Sequence, residues 1–339
     1  MRRAALLLAL LAACSSKSSG GDDHQPKTTP TPETAQAGDA APAGEVQLPP
    51  APPVARAPLG LPATPSPSYN PTTPAKVALG RKLFFDVQLS AAGTMACAHC
   101  HDPQHGWGDP RRLSETAGGK LNLRHAPALA NVAYAHELYW DGRVKPLEAL
   151  ILANWKGQMG ANPDAIARRL GEDRLYEAHF RRAFDSAPTG DHTVEALAAF
   201  VRTIRSGDAP WDRYENGDRS AVGPDVVAGA ALFRGKAQCG VCHPPPMYTD
   251  QQYYAVGVGD PARDPGRMIV TGSQADRGAF RTPTLRGAAE SGPYFHDGSA
   301  PTLEAVVDHF LGGASGREPI VLTPDERAQL LAFVRALTP

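Results

Sequence analysis

Cys97, Cys100 and His101 stand in the run CAHCH, and Cys239, Cys242 and His243 in the run CGVCH. Two thiols three residues apart can form thioethers to the edge of a porphyrin. The histidine that follows can then swing its imidazole beneath the iron, so this spacing reads as covalent c-type haem attachment, two haem groups per chain. A thioredoxin-like redox pair has no need of the trailing histidine, and half of a zinc site needs further ligands close by. The chain has five cysteines and the fifth is Cys14, which leaves none for a disulfide. His101 and His243 are the proximal ligands on this reading, and what stands on the opposite side of each metal is left to the rest of the chain.

The elements that must position these groups begin well after the N-terminus. The chain opens MRR, runs apolar from Ala4 to Ala13 and reaches LAAC at Cys14. A bilayer span needs about 20 apolar residues, so residues 1–13 read as a cleaved export signal. The segment resembles a bacterial lipoprotein signal, which implies that Cys14 is lipidated. Ser15 follows with no aspartate, so the expected anchor is the outer membrane, facing the periplasm. Residues 14–70 are rich in Pro, Ala, Gly, Ser and Thr and poor in large apolar side chains, the composition of a disordered tether. The formal net charge of -1 points to no nucleic-acid partner.

The remaining residues suffice for two modest domains. A faint repeat supports that division: ALGRKLFFD precedes the first haem motif and AGAALFRGKAQ the second, each containing Gly-x-x-Leu-Phe. Turn formers at 206–225 mark the break, giving domains 71–215 and 216–339. Helices are expected at PDAIARRL after Asn162, at TVEALAAFVRTI from Thr193, and at TPDERAQLLAFVRAL, where Thr323 is the N-cap and Pro324 the first helical residue. No alternating strand stands out, so the fold class is mainly α, two cytochrome-c-like haem domains with long loops.

From about Thr73 to Thr338 the chain resembles the bacterial di-haem cytochrome c peroxidases and the related MauG proteins of methylamine utilisation. The resemblance lies in GRKLFFDVQLS, YWDGRV, QMGANPD, DPGRMIVTG, RGAFRTPTLRG and GPYFHDGSAPTLEAVVDHF, together with both haem motifs. It implies that hydrogen peroxide reacts at the N-terminal haem. The C-terminal haem would exchange electrons with a periplasmic donor, such as a small cytochrome c or cupredoxin, or with a protein substrate. Trp140 of the W-D-G-R stretch would lie between the haems. The candidate catalytic residues are Trp140, Gln158 and Arg124, the last in RHAPAL.

Against the family pattern the chain departs at four places. The histidine that caps the reactive iron in typical peroxidases falls on Ala117, which cannot ligate, so the first haem is expected to be open. The distal glutamate falls on Gln158 and the distal glutamine on Leu150. Glu148 or a nearby histidine is the alternative source of acid-base help. The sixth ligand of the second haem falls on Phe310, which leaves His309 as a candidate metal ligand and Met247 and Met268 as poorer ones. The inter-domain calcium of the family would take carbonyls from Ser291 and Pro293, but His125 replaces its asparagine, so calcium affinity should fall. The expected function is a di-haem oxidoreductase; the alternative is an electron-transfer or ligand-sensing cytochrome that has lost peroxidase activity.

Overall fold

Caps and prolines written into the sequence set where the helices start. The computed structural model describes residues 46–339. Its helices are α1 (Pro74–Phe84), α2 (Leu147–Gly157), α3 (Pro163–Gly171), α4 (Arg174–Phe184), α5 (Gly190–Val201), α6 (Pro210–Glu215), α7 (Pro224–Arg234), α8 (Met268–Thr271), α9 (Leu303–Leu311) and α10 (Pro324–Arg335). Side chains of Thr73, Asn162, Asp173, Thr189, Thr302 and Thr323 accept the first free backbone N–H groups of α1, α3, α4, α5, α9 and α10. Helix α5 starts ahead of Thr193, because Thr189 is the residue that caps it.

Two helix pairs carry the architecture, α1 against α5 and α7 against α10. Each crosses at the glycine of a Gly-x-x-Leu-Phe run. A Cβ on Gly80 would sit 1.9 Å from the Ala196 carbonyl oxygen, and one on Gly229 would sit 1.9 Å from that of Gln329. Only glycine permits backbones this close. The phenylalanine of each run then meets an aromatic of the partner helix: Phe84 with Phe200 at 5.2 Å between ring centroids, Phe233 with Phe333 at 4.9 Å. A third aromatic completes each group, Trp107 in the first and Tyr248 in the second.

Around these pairs lie two buried apolar clusters, one running from Leu79 to Ile204 and the other from Trp211 to Leu337. The changeover lies between Ile204 and Trp211, so Trp211 and Tyr214 of α6, expected in the 71–215 half, pack with the second cluster. Burying each large apolar side chain contributes about 1.5–3 kcal/mol, so both clusters can sustain a core. Strands are minor: β1 (Tyr253–Ala255) pairs antiparallel with β2 (Ala279–Arg281), Tyr253 opposite Arg281. Three residues are too few for alternation to show in a sequence. Among the described residues no helix is long and apolar enough to cross a membrane.

The tether expected to end at Asn70 is docked from residue 46 onward. Carbonyl oxygens of Pro49, Ala55 and Gly60 accept from Arg182, Arg205 and Arg286, and that of Pro62 accepts from the Tyr134 hydroxyl. Asn70 is fully buried, bonded to Glu148 and Lys76. An extended Pro-rich chain has no internal partners for its carbonyls, so arginine side chains of the folded part can take them. Cys14, the signal at 1–13 and the tether up to residue 45 lie outside the described residues.

Candidate active site

Each C-x-x-C opens in a single 3₁₀ turn, Cys97–His99 and Cys239–Val241. The histidine after each is held from behind. His101 Nδ1 lies 3.3 Å from the Trp107 carbonyl oxygen and His243 Nδ1 lies 2.9 Å from that of Tyr248. Trp107 and Tyr248 both take positive φ, 64° and 51°, which folds each loop back over its histidine. A carbonyl can only accept, so Nδ1 carries the proton and Nε2 keeps its lone pair for a metal. Burial holds both imidazoles neutral, lowering His101 to about 4 and His243 in the same direction.

The four cysteines are unpaired. Burial pushes the Cys97 thiol up to about 12 and Cys239 up to about 11, the reverse of the acidic thiol a thioredoxin-like pair uses. Among the described residues no group of three or more His, Cys, Asp and Glu is gathered as a zinc ion would need. All four cysteines and both histidines line one cavity of about 1310 Å³. That exceeds the roughly 300–1,000 Å³ of an ordinary ligand pocket. The Gln158 Oε1 and Arg281 Nε atoms on its lining are buried without partners. Paired thiols, a free imidazole nitrogen, a mostly apolar wall and unspent polar atoms are what two haem groups require, so the residues fit.

Trp140 lines this cavity where the two halves meet. Its Nε1 donates to the His125 carbonyl at 2.8 Å, and its own carbonyl accepts from the Arg281 N–H of β2 at 2.8 Å. Arg124 also lines the cavity, but its guanidinium is committed. Nε and Nη2 bind Asp264 at 2.7 Å each and Nη1 binds Asp141 at 2.7 Å. Arg124 thus clamps together segments 140 residues apart while standing on the cavity wall. The buried His125 ring donates from Nδ1 toward the Arg111 and Arg112 carbonyls, and its N–H bonds the His296 carbonyl. It brings no oxygen to a calcium ion.

One face of α2 overlooks the first half of the cavity, with Leu150, Asn154 and the capping residue Gln158 spaced four apart. The loop carrying Ala117 folds onto the end of that helix, the Ala117 N–H bonding the Gln158 carbonyl at 2.8 Å. Ala117 is not on the cavity wall, and its methyl side chain offers no ligand. Glu148 does not substitute for the missing distal carboxylate. Asn70 and Arg202 hold it at 2.7 and 2.6 Å, and it is absent from the cavity wall. Asn154 and Tyr139, which line the cavity and share a 2.8 Å hydrogen bond, escaped the sequence reading. Laying the second half of the sequence on the first would have found them, since Asn154 then falls opposite Phe310.

In the second half Phe310 lines the cavity and His309 does not. His309 Nε2 lies 2.8 Å from the Val256 carbonyl and so carries a proton rather than a free lone pair. One helical residue turns the side chain by about 100°, so Phe310 and not its neighbour stands on the cavity wall. Met247 is on the cavity wall and Met268 is not.

A family model described as di-haem cytochrome c peroxidase matches residues 74–220. The chain is 40% identical over 289 residues to the methylamine utilization protein MauG of Methylorubrum extorquens, covering 80% of this chain and 81% of that protein. It is 35% identical over 320 residues to the cytochrome-c peroxidase IdrP1 of a Pseudomonas species, covering 82% and 84%. A crystal structure of a MauG-like protein associated with microbial copper homeostasis superposes with a TM-score of 0.76 at 31% identity, covering 87% of this chain and 96% of that one. Both haem motifs, the tryptophan at the junction and relatives of this extent agree: the chain belongs to the di-haem cytochrome c peroxidase and MauG family.

Proposed function

We propose that this chain is an oxidoreductase with two covalently held haem groups in two cytochrome-c-like domains. Hydrogen peroxide reacts at the site of Cys97, Cys100 and His101. Electrons pass through the site of Cys239, Cys242 and His243 to or from a small periplasmic electron carrier or a protein substrate. The observation that supports this most is a single cavity holding both motifs, with Trp140 hydrogen-bonded to each half at its waist. Haem iron supplies one-electron redox chemistry, and the protein supplies orientation and electrostatics.

The chain's own residues divide the remaining work. Trp107 and Tyr248 fix the histidine tautomers, so each Nε2 faces the cavity unprotonated. Ala117 leaves the far side of the first site uncapped. Leu150 keeps that wall apolar, and Gln158 offers an amide that can hydrogen-bond peroxide without taking its proton. The indole of Trp140 bridges the two halves. Export with lipidation at Cys14 places the folded part in the periplasm, near the outer membrane.

An anaerobic titration of the reduced protein with hydrogen peroxide tests this. Each peroxide reduced to two waters takes two electrons, so one equivalent should oxidise both haem groups, and Trp140→Phe should slow oxidation of the second. If peroxide leaves both spectra unchanged while the protein still exchanges electrons with small mediators, the electron-transfer reading replaces the enzymatic one. The absence of a distal carboxylate is the feature that would then explain it.

A further inference from the structure

The same two positions recur in both halves with opposite chemistry. Leu138 pairs with Val144 across the turn before α2, and Tyr294 pairs with Ala300 across the turn before α9. Leu147 and Leu303 begin the two helices at the same distance beyond these bridges. Asn154 and Phe310 are therefore equivalent residues. So are Tyr139 and Phe295, each following the first member of its bridge and each with positive φ, 65° and 69°. All four line the cavity.

In the second half Phe295 meets Phe310 edge-on, 6.2 Å between centroids. In the first, the Tyr139 hydroxyl donates to Asn154 Oδ1 at 2.8 Å. The Tyr139 ring is fixed from behind by the Arg143 guanidinium, 3.6 Å away and itself bonded to Asp141. With Oδ1 occupied, Asn154 keeps both N–H groups of its amide to offer the cavity. Gln158, one turn on, contributes an amide oxygen that is buried and unpaired. Donor and acceptor thus stand one turn apart on one helix face.

We propose that Asn154, oriented by Tyr139, is the hydrogen-bond donor that binds peroxide, or a small anion in its place, at the first haem site, whereas the Phe295–Phe310 pair denies the second site any such ligand. Asn154 contacts the substrate and Tyr139 is a positioning residue that acts through it. The inference rests on the peroxide site being the one held by His101.

Fluoride, an anion that accepts hydrogen bonds, serves as probe in the oxidised, haem-loaded protein, followed by its visible spectrum. One of the two haem groups should respond. Asn154→Leu should weaken fluoride binding about ten- to a hundredfold, the range for a hydrogen bond to a charged group. Tyr139→Phe should weaken it by a smaller factor, because the amide remains but is free to turn, and Asn154→Gln should recover part of the loss. The double change Phe295→Tyr with Phe310→Asn should make the second haem respond as well. Wild-type affinity in Asn154→Leu with both haem groups loaded overturns the proposal. Should that variant fail to load haem, the double variant decides, and no fluoride response at its second haem overturns it. A protein that shows this fluoride pattern but never reduces peroxide would leave the inference standing and refute the proposed function.

Discussion

At Gln158 an amide occupies a place where a carboxylate could accept a proton from one peroxide oxygen and return it to the other. Gln158→Glu supplies that group, and general acid-base help is worth about 10²–10⁴-fold. The rate of peroxide reaction, measured by stopped-flow absorbance, should rise about ten- to a thousandfold. An unchanged rate with intact haem content would mean that another group already moves the proton, and Glu148 is not available for it, being held by Arg202 and Asn70. Phe310 permits a second test at this scale. Its side chain lines the cavity, so Phe310→Met should place a thioether over the second haem. A sulfur-to-iron band should then develop near the red end of the visible spectrum and the midpoint potential should rise, since thioether ligation favours the reduced state. If the wild type already shows that band, Met247 is the ligand instead.

The helix pairs set the consequences at the scale of elements. Gly80 and Gly229 each lie against a partner backbone at a distance no Cβ tolerates. Gly80→Ala must push α1 off α5, and overpacking of this kind costs about 1–3 kcal/mol. Thermal unfolding should show that loss, with haem release from the first site preceding release from the second. Equal effects on both haem groups would show that the two clusters unfold as one unit. The docked 46–70 segment touches both, through Arg205 in the first and Arg286 in the second. Arg286 is itself paired with Asp212, each side chain 2% exposed, so the segment caps a buried ion pair.

For the molecule as a whole, Arg124 joins the W-D-G-R turn to the loop before α8 through Asp141 and Asp264. Burial alone would raise the Asp264 carboxyl, but hydrogen bonds from Arg124 and the Gly266 N–H outweigh it and hold the group below the usual carboxylate range. A depressed folded value means that this stabilisation is complete above the unfolded value of about 3.9 and is lost as pH falls through the folded one. Removing one partner of a buried pair costs about 3–5 kcal/mol. Asp264→Asn should therefore lower the melting temperature at pH 7, and the gap from wild type should narrow below about pH 4. A gap that stays constant down to acid pH would show that the clamp works through packing rather than charge.

Spacing along the chain is enough to propose the haem cysteines and the proximal histidines and to place the helix starts at Asn162 and Thr323, because a C-x-x-C-H turn or an N-cap is made by neighbours in sequence. Gly-x-x-Leu-Phe marked the two halves for the same reason, since a glycine and an aromatic four residues on share one helix face. Side-chain direction across the fold is another matter. Whether His309 or Phe310 meets the cavity turns on about 100° of helix rotation, which the packing of α9 decides. Only folding brings Asp264 beside Arg124, 140 residues away in sequence. The 46–70 segment has the composition of a free tether, and only arginines distant in sequence reveal that its carbonyls are taken. The Tyr139–Asn154 bond lies just as far beyond local pattern, because a turn and a helix must meet before a phenol can orient an amide.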